Sequence, residues 1–131
     1  MSEPIVFISH FRVNEGKLEG FRRFFRDGAP LIDAQKPRTV AFLAYADDTA
    51  GRVAVVHVFP DAEAMTRHFE GADERSAAAY EFITPDGFEI YGQPSADVVG
   101  TMRTGAASAG VTLNMTPGYA GGFLRPSGGP K

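Results

Sequence analysis

The stretch from Val53 to Phe69, VAVVHVFPDAEAMTRHF, limits the possible folds more than any other part of the chain. Val53 to Phe59 is rich in β-branched and aromatic residues and is apolar on both faces, so it reads as a strand covered on both sides. Pro60 cannot continue a ladder, and the Asp61 carboxylate can accept from the first free N–H groups of a helix. An apolar strand passing straight into a capped helix implies a sheet with helices packed on it.

The flanking segments extend the pattern. Ile5 to Val13 reads as a first strand, with Ile5, Phe7, Ser9 and Phe11 on one face and Val6, Ile8, His10 and Arg12 on the other. Asn14 offers a cap for a helix from about Glu15, in which Leu18, Phe21 and Phe25 recur at helical spacing. Gly28 and Pro30 are expected to end or kink it. Thr39 to Ala46 and Arg52 to Phe59 read as a hairpin around the polar turn Asp47 to Gly51. Beyond the helix capped by Asp61, Asp73 can cap another helical piece. Thr84-Pro85-Asp86-Gly87 reads as a turn, and Phe88 to Gly92 as a fourth strand. The order β-α-β-β-α-β predicts an α+β, ferredoxin-like domain over residues 1–95. Its four-stranded antiparallel sheet would carry the first and third strands at the centre.

Composition changes after Gln93, and eight of the 15 glycines fall in residues 100–131. Residues 96–131 are expected to form a Gly-rich extension, partly ordered, with Pro126 to Lys131 disordered. Val111, Leu113 and Met115 alternate with Thr112, Asn114 and Thr116. That is the signal of a short extra strand that covers a sheet edge or reaches a second subunit.

Charge and cysteine content narrow the function classes. Net charge is −3, and all 16 acids lie at or before Asp97, which leaves an acidic body without a basic stripe and argues against nucleic acid as a partner. The absence of cysteine removes disulfides, thiol nucleophiles and thiolate metal sites. No apolar run reaches the length of a membrane span and no signal peptide is evident, so the expectation is a cytoplasmic protein with no membrane partner. In this topology helices cover one sheet face only. Strands apolar on both sides therefore need a second cover, which a face-to-face homodimer supplies.

The chain resembles the dimeric α/β-barrel superfamily, and within it the antibiotic biosynthesis monooxygenase-like (quinol monooxygenase-like) proteins. The resemblance spans about Ile5 to Tyr91. Val13-Asn14-Glu15-Gly16-Lys17 is similar to the family's strand-to-helix entry, Val56 to Phe59 with Asp61-Ala62-Glu63-Ala64 to its third strand and second helix, and His68 to a histidine often found in that helix. The family includes enzymes that oxygenate quinols and polyketide phenols without metal or flavin, haem-degrading relatives, and members with no known reaction. The absence of Trp departs from the haem-degrading pattern. The resemblance implies a homodimer, a small aromatic substrate and no cofactor. A non-catalytic ligand-binding or interaction module of the same dimeric fold is the alternative.

Cofactor-free oxygenation needs a base, an apolar pocket and orientation, because a deprotonated phenol can itself pass an electron to dioxygen. Histidine is the natural base near neutral pH. His68, on or beside the helix stripe that includes Phe69, is the favoured candidate, and His57, interrupting an apolar strand, is the second. His10 and His57 should lie at opposite ends of antiparallel neighbours, which argues against a shared metal site. No acidic metal motif is present, so no metal is expected. Phe25 and Phe69 could wall the pocket, although phenylalanines at such spacing are core residues by default. Tyr45 and Tyr80 could orient a polar ring substituent.

Overall fold

Alternation along the first strand decides which side of the sheet is buried. The computed structural model describes residues 3–125, so the expectation of disorder for Pro126 to Lys131 lies outside the described residues. In β1 (Ile5–Val13), Ile5, Phe7, Ser9 and Phe11 are buried, while Val6, Ile8 and His10 are only half-buried. β3 (Arg52–Phe59) repeats this with Val53, Val55, His57 and Phe59 buried. The two strands pair antiparallel side by side, Phe7 opposite His57 and His10 opposite Ala54. β2 (Ala41–Asp47) forms the hairpin with β3, and β4 (Ile83–Tyr91) lies on the other side of β1.

Three helices lie where the sequence pattern placed them, but the first starts at Leu18 with Lys17 as N-cap, because the Asn14 side chain instead donates to the Tyr80 and Glu81 carbonyls and accepts from the Thr84 hydroxyl. α1 (Leu18–Gln35) buries Phe21 and Ile32. It does not end at Gly28 or Pro30 but continues to Gln35, with Ile32 beyond the proline anchored in the protein interior. α2 (Ala62–Phe69) begins at Asp61, whose carboxylate accepts from the Ala64 N–H at 2.8 Å as expected of an N-cap. That bond, with the Arg38 guanidinium beside it, lowers the Asp61 pKa. α3 (Ala72–Ala79) is capped by Gly71, and Asp73 falls in its first turn.

Two further expectations are corrected. Thr84 to Gly87 is not a turn but part of β4. The register against β1 slips between His10 and Phe11, which leaves Asp86 as the extra residue of a bulge. β5 pairs with β4 only from Phe88 onward, so Pro85 sits where β4 is still an outer strand and its missing N–H is tolerated. The second correction concerns residues 96–131. Ala96–Ala109 forms a helix, α4, which was not expected, followed by the expected short strand, β5 (Leu113–Thr116), which covers the sheet edge by running parallel to β4. The sheet is therefore five-stranded and mixed, in the order β2-β3-β1-β4-β5, rather than four-stranded and antiparallel. The ferredoxin-like arrangement survives inside it.

All the packed helices lie on the face that carries Phe7, His57 and Phe88. α4 adds Val98, Met102 and Ala106 to one core cluster with Ile5, Phe59, Met65 and Ile90. A second cluster under α1 joins Phe11, Phe21, Val53, Val55 and Ile83. The opposite sheet face has no cover among the described residues: Val6, Ile8, Val56 and Val58 are half-buried there, and Leu43 and Tyr45 are exposed. No helix is long and apolar enough to cross a membrane among the described residues.

Candidate functional site

Between the two core clusters the sheet and helices leave a cavity of about 1200 Å³. Its floor is the helix-side face of β1, β3 and β4, and its walls come from α1, α3 and α4. Two imidazoles stand in it. His57 projects from the centre of β3 and His68 from the last turn of α2, and they are only 7% and 4% exposed. Their ring centroids are 5.3 Å apart and the rings meet nearly edge to face, at 83°.

Each ring uses one nitrogen to hold its place. His57 Nδ1 lies 3.0 Å from the Phe7 carbonyl oxygen. A carbonyl only accepts, so this nitrogen carries the proton and Nε2 carries the lone pair. His68 Nδ1 lies 2.8 Å from the Thr39 hydroxyl, which can donate or accept. Neither Nε2 has a protein partner among the described residues, yet no buried side-chain nitrogen or oxygen is left unpaired. Both Nε2 atoms therefore retain access to open space, and both residues line the cavity.

The surroundings keep both rings neutral. Burial lowers the His57 pKa to about 4, opposed by the Phe7 carbonyl and assisted by Arg75. Burial lowers that of His68 to about 3, with further repulsion from His57, Arg75 and Lys36. The cations are themselves fixed. Lys36 Nζ donates to the Arg67 and Glu70 carbonyls at 2.8 and 3.0 Å, and Arg75 donates to the His68 and Glu70 carbonyls at 2.5 and 3.0 Å. They thus cap the C-terminal carbonyls of α2 and set the position of its last turn.

Aromatic rings complete the walls. Phe7 stacks on His57 at 4.7 Å, Phe69 lies 5.7 Å from Phe7, and Phe25 stacks on Phe42 at 4.8 Å. Among the described residues no group of three His, Asp or Glu side chains comes together as a metal would require.

No protein-family model and no curated protein matches the sequence. Solved structures do match. A Caulobacter crescentus protein assigned as an antibiotic biosynthesis monooxygenase aligns with a TM-score of 0.59 and 19% identity, over 68% of this chain and 88% of its own. SnoaB, a cofactor-independent oxygenase from Streptomyces nogalater, aligns with a TM-score of 0.58 and 18% identity, over 72% of this chain and 97% of its own. The chain has the antibiotic biosynthesis monooxygenase fold. MupZ from Pseudomonas fluorescens, with a TM-score of 0.70 and 15% identity, matches 96% of this chain and 98% of its own. The SnoaB match leaves out a share of the chain about as long as residues 96–131, whereas the MupZ match includes nearly everything.

Within this fold the residues singled out by sequence fall into two groups. His57, His68, Phe25, Phe69 and Tyr80 all line the large cavity, Tyr80 from the end of α3. Tyr45 does not. It alternates onto the uncovered sheet face, is 62% exposed, and borders only a separate groove between α1 and β2. His10 also stands on the uncovered face, where it bonds to Glu89 Oε2 while the Tyr91 hydroxyl donates to Glu89 Oε1 at 2.6 Å. It is thus set apart from His57 by the sheet itself. Sequence reasoning passed over Thr39 and Arg75, because both act on His68 through contacts that only the folded chain creates.

Proposed function

We propose that the chain is a homodimeric, cofactor-independent monooxygenase that oxygenates a phenolic or quinol molecule in the cavity between sheet and helices. One observation carries this reading: two buried imidazoles, each held through Nδ1 and with no protein partner at Nε2 among the described residues, line a roomy cavity walled by phenylalanines. A cavity filled by those phenylalanines would have favoured a purely structural role.

The chemistry asked of the protein is modest. An imidazole takes the proton of a bound hydroxyl. The resulting anion passes one electron to dioxygen, and the substrate radical and superoxide join at a ring carbon. The peroxide takes back the proton held by the imidazolium, and where that carbon began as a methylene the hydroperoxide loses water and becomes a carbonyl. Dioxygen gains four electrons, all from that carbon, and its second oxygen leaves as water. Burial disfavours a lone imidazolium, but an imidazolium beside a phenolate is a neutral pair whose attraction is strong in a water-poor cavity. Arg75 and Lys36, which repel a proton from His68, favour the anion for the same reason.

The homodimer is supported by the uncovered apolar face of Val6, Ile8, Leu43, Val56 and Val58, which a second copy would cover. The test is oxygen uptake with a panel of quinols and anthrone-type phenols. A His57→Phe/His68→Phe double variant should lose uptake by about 100-fold or more. Uptake that survives the double variant would remove the histidines from the reaction. Tight binding of a phenol without any uptake would instead establish a ligand-binding module.

A further inference from the structure

We infer that the two imidazoles have opposite polarity at the cavity: His57 presents a lone pair and acts as the proton acceptor, while His68, with Thr39 donating to its Nδ1, presents an N–H. The inference deepens the proposed function and rests on it for its kinetic consequence. It moves the base from His68, the residue favoured by sequence, to His57, and makes Thr39 a positioning residue.

Three observations point the same way. The Phe7 carbonyl leaves His57 no choice, because its Nδ1 must be the protonated nitrogen. The ring centroids are 5.3 Å apart in a water-poor cavity, close enough for opposite polarity at the two imidazoles to be favoured over like polarity. Thr39 supplies the means. Its hydroxyl lies 2.8 Å from His68 Nδ1 and can fill that lone pair, which places the ring proton on Nε2. The Lys36–Val40 connection holds Thr39 in place, with Thr39 N–H donating to the Lys36 carbonyl and Val40 N–H donating to that of Val58. Basicity runs in the same direction. Arg75 bears against the protonated form of both rings, whereas the Phe7 carbonyl favours protonated His57 and Lys36 bears against protonated His68.

The ligand group that fits such a pair both donates and accepts. A hydroxyl gives its proton to His57 Nε2, and that oxygen, or one beside it, receives the His68 N–H. The charge left by deprotonation then meets a hydrogen-bond donor fixed in advance, which favours the anion as it forms.

Two experiments test the assignment. Long-range proton–nitrogen NMR of the intact wild-type protein at neutral pH should find His57 as the Nδ1–H tautomer and His68 as the Nε2–H tautomer. In Thr39→Val the His68 Nδ1 resonance should move to its unbonded position, with His57 unchanged, and Thr39→Ser should restore it. Finding both rings in the same tautomer would overturn the inference. In oxygen uptake, His57→Phe should lower kcat by about 100-fold. His68→Gln, which keeps an N–H donor, should stay within about tenfold of wild type. The reverse ranking would return the base to His68. If the tautomers are as stated but no phenol is oxygenated, the proposed reaction fails and the polarity of the pair stands.

Discussion

Phe7 holds His57 in two ways: its carbonyl accepts from His57 Nδ1 at 3.0 Å, and its ring stacks on the imidazole at 4.7 Å with an interplanar angle of 24°. One contact fixes the tautomer and the other fixes the plane. They are separable, because mutation can remove the ring and leave the carbonyl. Phe7→Ala should cost about 3–5 kcal/mol of stability, as expected for a large buried aromatic. The His57 Nδ1–H tautomer should nonetheless persist. Urea unfolding and histidine NMR on the same sample measure both.

Stability should fall in mild acid. Both histidines have folded pKa values below the ordinary 6.5, at about 4 and about 3, so the unfolded chain takes up protons that the folded chain refuses. Their contribution is complete above pH 6.5 and is lost as pH falls from there toward those folded values. The slope should approach about 1.4 kcal/mol per pH unit for each imidazole. Urea midpoints between neutral pH and about pH 4.5 should show this dependence, and the His57→Phe/His68→Phe variant should flatten it. An equal slope in the double variant would place the acid sensitivity elsewhere.

A charge on the uncovered sheet face should separate the copies without unfolding them. Val56 is half-buried there beside Ile8 and Leu43. Light scattering at micromolar concentration should report a dimer for wild type and a monomer for Val56→Asp, with unchanged far-ultraviolet dichroism. A monomeric wild type would remove the proposed interface.

Two helix glycines should respond in opposite directions. A Cβ at Gly105 meets nothing within 4 Å, so Gly105→Ala should stabilise α4 by about 0.5–1 kcal/mol through lower chain entropy. A Cβ at Gly20 would fall 2.7 Å from Phe82 Cε1, in a ring already packed against Phe24. Gly20→Ala should therefore destabilise, by about 1–3 kcal/mol. Thermal unfolding of the two variants checks both signs.

Removing residues 96–131 should prevent stable folding. Val98, Met102 and Ala106 share a core with Phe7, Phe88 and Ile90, and a chain ending at Ser95 would open that core to water. A cooperative unfolding transition in the truncated chain would show that residues 1–95 suffice.

The strands were legible because their burial is periodic. Ile5–Val13 and Arg52–Phe59 have the bounds expected of them, and Asp61 caps α2 as its position after Pro60 implied. α4 escaped notice because its glycines and alanines dilute a single apolar line of Val98, Met102 and Ala106. The signals that would have found it were its ends, with Ser95 accepting from the Val98 N–H and Gly110 left-handed at φ 70°. The bulge at Asp86 was hidden for another reason: Thr-Pro-Asp-Gly has the composition of a turn, and only pairing with β1 keeps it extended. At the site, His57 and His68 stood out as polar residues in apolar surroundings. Their mutual approach, and the Thr39 contact, arise from α2 folding back over β3 and could not be read from spacing.

The placement of β5 also governs where the sheet can pair at its edges. On one side the sheet ends in β5, a short strand followed directly by Pro117, and such an edge is a poor template for further pairing. On the other side β2 has no strand along its outer edge among the described residues. The two margins are therefore unequal: a four-residue strand followed by a proline offers a shorter ladder than the seven residues of β2. Any edge-to-edge pairing of the sheet would be expected at the β2 margin rather than at β5.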